Sequence, residues 1–380
     1  MRVPARSTAI TAARKYIWAI AIASLLSLFS LRQCANNSAI DARERHHNLT
    51  VQLASDRERE DARLPSTTNP TSLTVHLVIA STSSDDVSWM SKIDIPHLKV
   101  IHYIADDDTA LYHPPANKGR ETLIYHTYFH DFYNHLPDIA ILTYANDVAL
   151  NLEPLLSHSL PYAISHLDPL AVQERGYANL RVSWQNDCPA HINTTHKWST
   201  GLGLEEQSTR EAFVGTFGST SVPEVLAQPC GSHFAVSRDR IRSVPREQYA
   251  RMMNWILTTD MDDSMVGRSW EHMFQWLFAK KGIDCPVEWK AYCLLYHICF
   301  EGKKEYEEYL SLGYLRADLI DRFNVGIART MWNWVSGLGR WKERLTRKID
   351  GINQRMKEMK QASLDRGTEG VKIGDLYLDD

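Results

Sequence analysis

Acidic side chains follow two apolar, β-rich segments of this 380-residue sequence. Asp106 and Asp108 come directly after Leu98–Ala105, and Asp85 follows Leu73–Ala80. The carboxyl ends of parallel strands meet at one edge of an α/β sheet, where such sheets bind ligands. Carboxylates at that edge suit Mg²⁺ or Mn²⁺ bound beside phosphate oxygens. We therefore predict a metal site at Asp106 and Asp108, in the Asp-x-Asp spacing of many nucleotide-sugar enzymes; a solvated acidic loop is the alternative.

A cationic segment, Asn117-Lys118-Gly119-Arg120, follows the acidic loop and precedes a helical pattern. Two prolines just before it exclude helix there, and Asn117 has the chemistry of an N-cap. Free backbone N–H groups and the helix dipole favour an anion at a helix start, and Lys118 and Arg120 add positive charge. The segment therefore predicts a binding site for a diphosphate; a capped surface turn without a ligand is the alternative.

The carboxylate of Glu271 lies among aromatic residues in the segment GRSWEHMFQWLF, Gly267–Phe278. A carboxyl group in apolar surroundings has a raised pKa and is suited to general base catalysis. We predict that Glu271 is a catalytic base, or else a structural acid paired with Arg268 or Arg238. The sequence has no G-x-S-x-G elbow, P-loop or dinucleotide fingerprint, which disfavours the chemistry of those motifs.

The residues after the cationic segment are predicted to form a core helix. Its aromatic and apolar side chains share one broad face at i, i+4 spacing: Ile124, Tyr125, Tyr128, Phe129, Phe132 and Tyr133. Such a face packs in a core and does not hold a cofactor. His126 and His130 lie one turn apart, but HTYFH lacks the glutamate of a zinc-protease helix, so we predict structural or cleft-lining histidines.

Apolar strands alternate with helical patterns from residue 73 onward. The predicted strands are Leu73–Ala80, Leu98–Ala105, Ile139–Tyr144, Tyr177–Trp184 and Ser232–Ser237. The predicted helices are Val87–Ile93, Gly119–Asn134, Leu152–Ser159, Arg246–Thr258 and Ser269–Lys281. This alternation predicts an α/β domain with a mostly parallel sheet flanked by helices.

The N-terminal region has the pattern of a membrane anchor. Basic residues precede the uncharged run Tyr16–Leu31, and Arg32 closes it without a clean cleavage site. Positive charge on the N-terminal side orients that end toward the cytosol. We therefore predict a single-pass type II membrane protein of the secretory pathway, with a domain facing the ER or Golgi lumen. A cleaved signal and secretion are the alternative.

Sequons and cysteines agree with a lumenal, oxidising compartment. N-glycosylation sequons begin at Asn36, Asn48 and Asn193, all beyond the predicted anchor. Three of the six cysteines cluster between Cys285 and Cys299 without a C-x-x-C pair. That spacing favours disulfides over zinc.

Composition divides the chain into five parts. They are a cytosolic tail (1–15), a transmembrane signal anchor (16–31), a flexible stem (32–72), a lumenal α/β domain (73–300) and a helical C-terminal extension (301–380). The stem is polar and poor in aromatic residues, as flexible linkers are. The net charge of −4 gives no global positive field, so we expect a membrane contact through the anchor and no nucleic-acid partner.

Six blocks follow one another between residues 75 and 300. They are DDVSWM, NKGRETLIYHTYFHDFYNHLPD, GYANLRVSWQNDCP, HFAVSRDRIRSVPREQYARMMNWIL, GRSWEHMFQWLF and the run of Cys285, Cys293 and Cys299. Together they resemble a fungal family known as domain of unknown function 3431, whose pattern is similar to nucleotide-sugar glycosyltransferases of the α/β "A" type. The resemblance implies sugar transfer from a nucleotide donor. Asp106 and Asp108 would hold the metal, Lys118 and Arg120 the diphosphate, and Glu271 would activate the acceptor hydroxyl.

The chain departs from the family pattern beside the third predicted strand. Relatives carry a His-Ala-x-Arg and a Trp-His-Asn-Asp-Asp-Pro string there, whereas this chain reads YANDVALNLEP. They also read Glu-x-x-Trp-His where this chain has Glu271, Phe274 and Gln275. Such losses fit either a changed substrate or a fold kept without catalysis. The alternatives to a glycosyltransferase are a non-catalytic, membrane-anchored binding or scaffold protein and an accessory protein in fungal metabolite biosynthesis.

Overall fold

Strand β1, Val75–Ser81, is buried along its whole length in the computed structural model. A continuous apolar run of this kind is typical of a parallel strand that is covered on both faces. β1 pairs in parallel with β2, Leu98–Ile104, and with β3, Ile139–Tyr144. Both registers begin at Val75, so the carboxyl ends of the three strands reach the same edge of the sheet.

The structure describes residues 73–149, 152, 154–185, 187–195, 203–219, 222–330 and 338–368. These residues all fall in one compact unit, Ser66–Asp380. The predicted anchor at Tyr16–Leu31, the stem and the sequons at Asn36 and Asn48 lie outside the described residues. Among the helices that are described, none is long and apolar enough to cross a membrane.

Two further strands complete the main sheet: β4, Tyr177–Asn179, and β7, Phe234–Ser237. The strand order is β2-β1-β3-β7-β4, and β7 runs antiparallel to both β3 and β4. The predicted α/β fold with a mostly parallel sheet is therefore confirmed. Strands β5, Ile192–Asn193, and β6, Val225–Leu226, form a separate two-stranded sheet.

The predicted strand Tyr177–Trp184 is wrong beyond its third residue. The side-chain oxygen of Asn179 accepts a hydrogen bond from the backbone N–H of Arg181 at 2.9 Å. This local turn takes the backbone out of the sheet, as asparagine side chains do at strand ends. Trp184 lies beyond it and donates its indole N–H to the carbonyl of Pro286 at 2.7 Å.

Helices connect the strands, and further helices follow the last strand in the chain. In chain order they are α1 Glu121–Asp131, α2 Leu160–His166, α3 Pro169–Arg175, α4 Leu204–Phe217, α5 Arg238–Arg242, α6 Arg246–Thr258, α7 Asp263–Glu271, α8 Phe274–Ala279, α9 Glu288–Tyr296, α10 Lys303–Thr330 and α11 Leu338–Thr368. The predicted bounds of α6, Arg246 and Thr258, are both confirmed.

Two of the predicted helices are short 3₁₀ segments. Val87–Ile93 contains Ser88–Lys92, and Leu152–Ser159 contains Pro154–Leu156. Segments this short cannot complete enough i to i−4 hydrogen bonds to hold an α-helix, so they close with i to i−3 bonds.

The predicted helix Ser269–Lys281 is two helices. α7 ends at Glu271 and α8 begins at Phe274. Between them, the backbone N–H of His272 bonds to the carbonyl of Ser269 at 3.2 Å, which tightens the last turn of α7. The break leaves the Glu271 side chain at the end of a helix.

Helix α1 lies at the centre of the core. It packs against β1 and β3 on one side and against α6 and α7 on the other. Every residue from Thr122 to Phe129 is buried, because a helix covered on opposite sides is apolar around its circumference. The predicted core face is confirmed, and it is wider than the sequence indicated. His126 belongs to it, with no exposed surface.

The predicted C-terminal helices form a hairpin against the α/β domain. Arg366, near the end of α11, bonds to Glu305, near the start of α10, at 2.6 Å, so the two helices run antiparallel. The carbonyl of Ser363 accepts from the backbone N–H of Cys299 at 2.9 Å. Met359 on α11 is buried. The extension therefore packs on the domain.

Two disulfides fasten the C-terminal side of the domain. One joins Cys188 to Cys285, and the other joins Cys293 to Cys299. The prediction that the late cysteines form disulfides is confirmed. Cys230 is the free cysteine among the described residues.

We expect the two disulfides to stabilise the fold unequally. They span sequence separations of 97 and 6 residues. Loop-closure entropy then gives about 4.7 kcal/mol for the longer loop and about 2 kcal/mol for the shorter one. Urea unfolding of Cys188→Ala/Cys285→Ala and of Cys293→Ala/Cys299→Ala measures both losses. Equal losses, or a larger one for the short loop, would contradict the expectation.

His126 should make stability depend on pH. Its ring nitrogens have no hydrogen-bond partner among the described residues, and burial lowers its pKa from 6.5 to about 3. The neutral form therefore contributes stability that is complete above about pH 6.5 and falls toward pH 3, by about 1.4 kcal/mol per pH unit. We expect urea unfolding at pH 7 and pH 5 to show a smaller difference for His126→Leu than for the wild type.

The matched control is Leu123→Ala, on the same helix. Leu123 is as fully buried as His126 and has no titratable group, so its replacement should lower the free energy of unfolding by the same amount at both pH values. The account of His126 is wrong if His126→Leu keeps the wild-type difference in unfolding free energy between the two pH values.

Candidate functional site

A cavity of about 430 Å³ lies at the carboxyl edge of β1 and β3. Strand ends, the start of α1, the end of α7 and the segment before β7 all contribute to its wall. The lining residues are Ala80, Ser81, Thr82, Asp85, Ala105, Asn117, Arg120, Glu121, Ile124, Tyr144, Ala145, Asn146, Ser232 and Glu271. The cavity thus lies where open α/β sheets bind ligands, and its size is in the range of small-molecule sites.

Glu271 reaches this cavity from the last residue of α7. The next residue toward the N-terminus, Trp270, is fully buried and anchors the end of the helix in the core. Burial of the Glu271 carboxyl, together with the nearby charge of Glu121, raises the pKa of Glu271. Glu271 is therefore a buried carboxyl group with a raised pKa, and its role as a catalytic base remains a prediction.

The arginines considered as structural partners of Glu271 are engaged elsewhere. Arg268 bonds to Glu205 at 3.0 Å, and Arg238 bonds to Asp138 at 3.0 Å. The Glu271 carboxylate accepts a hydrogen bond from the thiol of Cys230, at an S···O distance of 3.4 Å. The Glu271 carboxylate therefore lines the cavity and also contacts the loop that carries Cys230.

The predicted N-cap at Asn117 is wrong, because α1 begins at Glu121. Gly119 and Arg120 take φ angles of 67° and 53°, so a right-handed helix cannot start before them. Gly119 and Arg120 instead form a turn, and Asn117 and Arg120 line the cavity from it. Part of the predicted cationic segment therefore lines the cavity, although it does so through a left-handed turn.

Arg120 runs along α7 on its way to the cavity. A Cβ atom added to Gly267 on that helix would lie 3.3 Å from Cδ of Arg120. The absence of a side chain at Gly267 therefore leaves room for the arginine stem. The position of the guanidinium group therefore depends on two glycines, Gly119 in its own turn and Gly267 on the facing helix.

Lys118 does not line the cavity. Its ammonium group donates to the backbone carbonyls of Leu257 and Thr259, at 3.3 and 2.5 Å. These carbonyls belong to the C-terminal end of α6, where a cation is favourable. The contact ties the turn to α6, and the predicted diphosphate role of Lys118 remains untested.

Asp106 and Asp108 are not among the residues that line the cavity. The carboxylate of Asp106 accepts from the N–H and hydroxyl of Ser83, at 2.7 and 2.8 Å. Those bonds lower the pKa of Asp106 and fix the loop after β1. Asp108 is exposed. Of the five site residues predicted to act together, Arg120 and Glu271 meet at the cavity, and Asp106, Asp108 and Lys118 do not.

The Mg²⁺ or Mn²⁺ site at Asp106 and Asp108 remains a prediction. Mg²⁺ is usually held by one or two carboxylates together with substrate phosphates and water, so part of its ligand set comes with the substrate. Within the part of the chain that the structure describes, the group of three or more close ligand-type side chains is His191, Cys230 and His272, and it excludes Asp106 and Asp108. We therefore assign no catalytic step to a metal at these aspartates.

Sequence reasoning missed Ser81, Thr82, Tyr144 and Ser232 as lining residues. Ser81 and Tyr144 end β1 and β3, and Ser232 precedes β7. Their positions at strand ends were the available signal, but short hydroxyl side chains are too common to single out. The loop aspartate Asp85 does line the cavity, and its carboxylate accepts from the Thr82 N–H at 2.7 Å.

The sequon at Asn193 lies in β5. The side-chain oxygen of Asn193 accepts from the N–H and hydroxyl of Thr195, at 2.9 and 2.7 Å. The sequon threonine therefore bonds directly to the asparagine amide. Glycosylation at Asn36, Asn48 and Asn193 remains a prediction.

The fold and the cavity define a class: an α/β protein with a mostly parallel sheet and a polar cleft at the carboxyl ends of its strands. Over residues 77–294, more than half of its length, the chain matches the family described as Protein of unknown function (DUF3431). The chain belongs to that family, as the sequence blocks indicated. No curated protein and no solved structure matches it. The similarity to glycosyltransferases remains a prediction.

We expect Gly119→Ala to destabilise the protein by roughly 1–3 kcal/mol. An alanine would have to keep the φ of +67°, and its Cβ would lie 2.6 Å from Cγ2 of Ile256. Gly351→Ala is the control, because that glycine lies inside α11 with nothing within 4 Å of the added Cβ. The control should gain up to about 1 kcal/mol from helix propensity. Equal effects of the two substitutions on urea unfolding would contradict this account of the turn.

Proposed function

We propose that this protein is a transferase that moves a sugar from a nucleotide donor to an acceptor hydroxyl in the cavity at the carboxyl edge of the sheet. One observation carries the proposal: a cation, carboxylates and amide and hydroxyl groups line a single cleft there. That combination suits a ligand with both a phosphate and many hydroxyl groups. The same edge binds nucleotides in many α/β proteins, which supports the proposal by analogy.

Arg120 is the group best placed for the donor diphosphate. Its guanidinium is a permanent cation and can bond two phosphate oxygens at once. It belongs to the cavity wall together with Asn117, whose amide offers a neutral donor. The start of α1 adds the positive end of the helix dipole.

The sugar and the acceptor would occupy the remainder of the cleft. Asp85, Asn146 and Ser232 offer acceptors and donors for hydroxyl groups. Glu271 enters from α7 and is the carboxylate that would accept the proton of the attacking hydroxyl. Glu121 lies on the same wall and would bond to sugar hydroxyls.

The disulfides support the proposed compartment. Cys188–Cys285 and Cys293–Cys299 persist in an oxidising environment such as the secretory pathway. A lumenal domain held by an N-terminal type II anchor would meet nucleotide sugars and acceptors there. The anchor itself remains a proposal, since Tyr16–Leu31 lies outside the described residues.

A second candidate is a non-catalytic binding protein that keeps the family fold. The hydrogen bonds of Lys118 and Asp106 favour this candidate. Both side chains bond to backbone or loop atoms near the cleft, and neither lines the cleft. Such a protein would bind a sugar nucleotide or a related ligand in the cleft without turning it over.

Full-length protein incubated with a panel of nucleotide sugars, with and without Mn²⁺ or Mg²⁺, tests the proposal. We expect release of the nucleoside diphosphate with at least one donor. Glu271→Gln should lower kcat by about 10² to 10⁴. Arg120→Ala should weaken donor binding roughly ten- to a hundredfold, because it removes a charge-assisted contact.

Glu247→Gln is the matched control for Glu271→Gln. Glu247 lies in the first turn of α6 and is exposed, so the same change of chemistry there should leave turnover unaltered. Donor binding without turnover in the wild type would favour the binding protein. Neither binding nor turnover with any donor would overturn both candidates.

A further inference from the structure

Three side chains from distant parts of the sequence meet beside Glu271. His191 comes just before β5, Cys230 lies between β6 and β7, and His272 follows the last residue of α7. One ligand-type atom from each lies within 4.8 Å of the others. We name these three residues the His-Cys-His cluster.

The distances in the cluster are close to those of a metal site. In a tetrahedral zinc site with Zn–N and Zn–S bonds of 2.0–2.3 Å, neighbouring ligand atoms are roughly 3.5 Å apart. Sγ of Cys230 lies 3.6 Å from Nδ1 of His272. The rings of His191 and His272 meet edge to face, with centroids 4.7 Å apart. Small side-chain shifts would bring all three ligand atoms around one ion.

Each imidazole of the cluster also has a carboxylate partner. Nε2 of His272 lies 2.9 Å from Oε1 of Glu205, on the opposite side of the ring from Cys230. Nδ1 of His191 lies 3.3 Å from Asp187, which Arg181 holds at 2.5 Å. Carboxylates that orient metal-bound histidines in this way are the usual outer shell of zinc sites.

We propose that His191, Cys230 and His272 bind one divalent ion of the Zn²⁺ class. On binding, the Cys230 thiol releases its proton to solvent and the thiolate sulfur becomes a ligand. Two imidazoles and one thiolate suit Zn²⁺ or Co²⁺ and are a poor set for Mg²⁺ or Mn²⁺. This site is separate from the predicted aspartate site and does not rest on the proposed transferase function.

The same residues could be read as a cysteine nucleophile activated by His272. Two observations favour the metal. The carboxylate of Glu271 lies 3.4 Å from the Cys230 sulfur and opposes a free thiolate there. Cys230 is also absent from the lining of the cavity. A cysteine nucleophile would, moreover, leave the His191–Asp187 pair without a function.

Cobalt titration of the full-length protein tests the proposal. Chelator-treated protein carrying Cys34→Ser, which removes the cysteine outside the described residues, receives Co²⁺ alone. We expect one ion per chain and a near-ultraviolet charge-transfer band that marks a cobalt–thiolate bond. Zn²⁺ should displace the cobalt and abolish the band. Bound Zn²⁺ should also slow alkylation of Cys230 by iodoacetamide.

Variants separate ligands from their partners. Cys230→Ser should lose the band, and His191→Asn and His272→Asn should each lose tight binding. Glu205→Gln should keep the band and weaken binding about 10- to 100-fold. The matched control is His297→Asn, since His297 also faces a carboxylate, Asp168 at 3.3 Å, and should bind cobalt as the parent does.

Three results would overturn the proposal. They are the absence of a charge-transfer band in the parent protein, a band that survives Cys230→Ser, and cobalt affinity unchanged by both histidine substitutions. Near-ultraviolet circular dichroism confirms that each variant is folded. Because the titration contains no nucleotide sugar, its result is independent of the transferase assay.

Discussion

The shared register of three parallel strands determines most of this structure. Strand β1 pairs with β2 and β3 from Val75 onward, so the three carboxyl ends reach one edge together. Each chain segment that leaves this edge therefore begins beside the others, and the cavity is the space between them. Helix α1 holds this arrangement in place, because it is buried between the sheet and helices α6 and α7.

Much of the fold could be predicted because burial leaves a clear pattern in the sequence. The continuous apolar runs of β1 and β3 and the amphipathic α6 were each found near their true bounds. The end of β4 was not, since it depends on one hydrogen bond from Asn179. The start of α1 was also misplaced, because positive φ at Arg120 is set by the surrounding packing and carries no signature in a non-glycine residue.

The candidate site was predictable in part, for a related reason. Glu271 and Arg120 were found because their neighbours imply a buried acid and a helix start. Lys118 belongs to the same cationic segment as Arg120 and could not be told apart from it by sequence, yet its ammonium group bonds to the end of α6. The His-Cys-His cluster has no local spacing, since its members come from three separate segments. It lies against Glu271, so the end of α7 serves both the cavity and the cluster.

Hydrogen–deuterium exchange of the full-length protein with a nucleotide sugar tests most directly whether this cavity is the functional site. We predict slower exchange at backbone amides of residues 81–85, 117–124 and 144–146, which surround the cavity. The hairpin of α10 and α11 should be unchanged, since none of its described residues lines the cavity. Protection confined to the hairpin, or no protection with any donor at saturating concentration, would contradict the account.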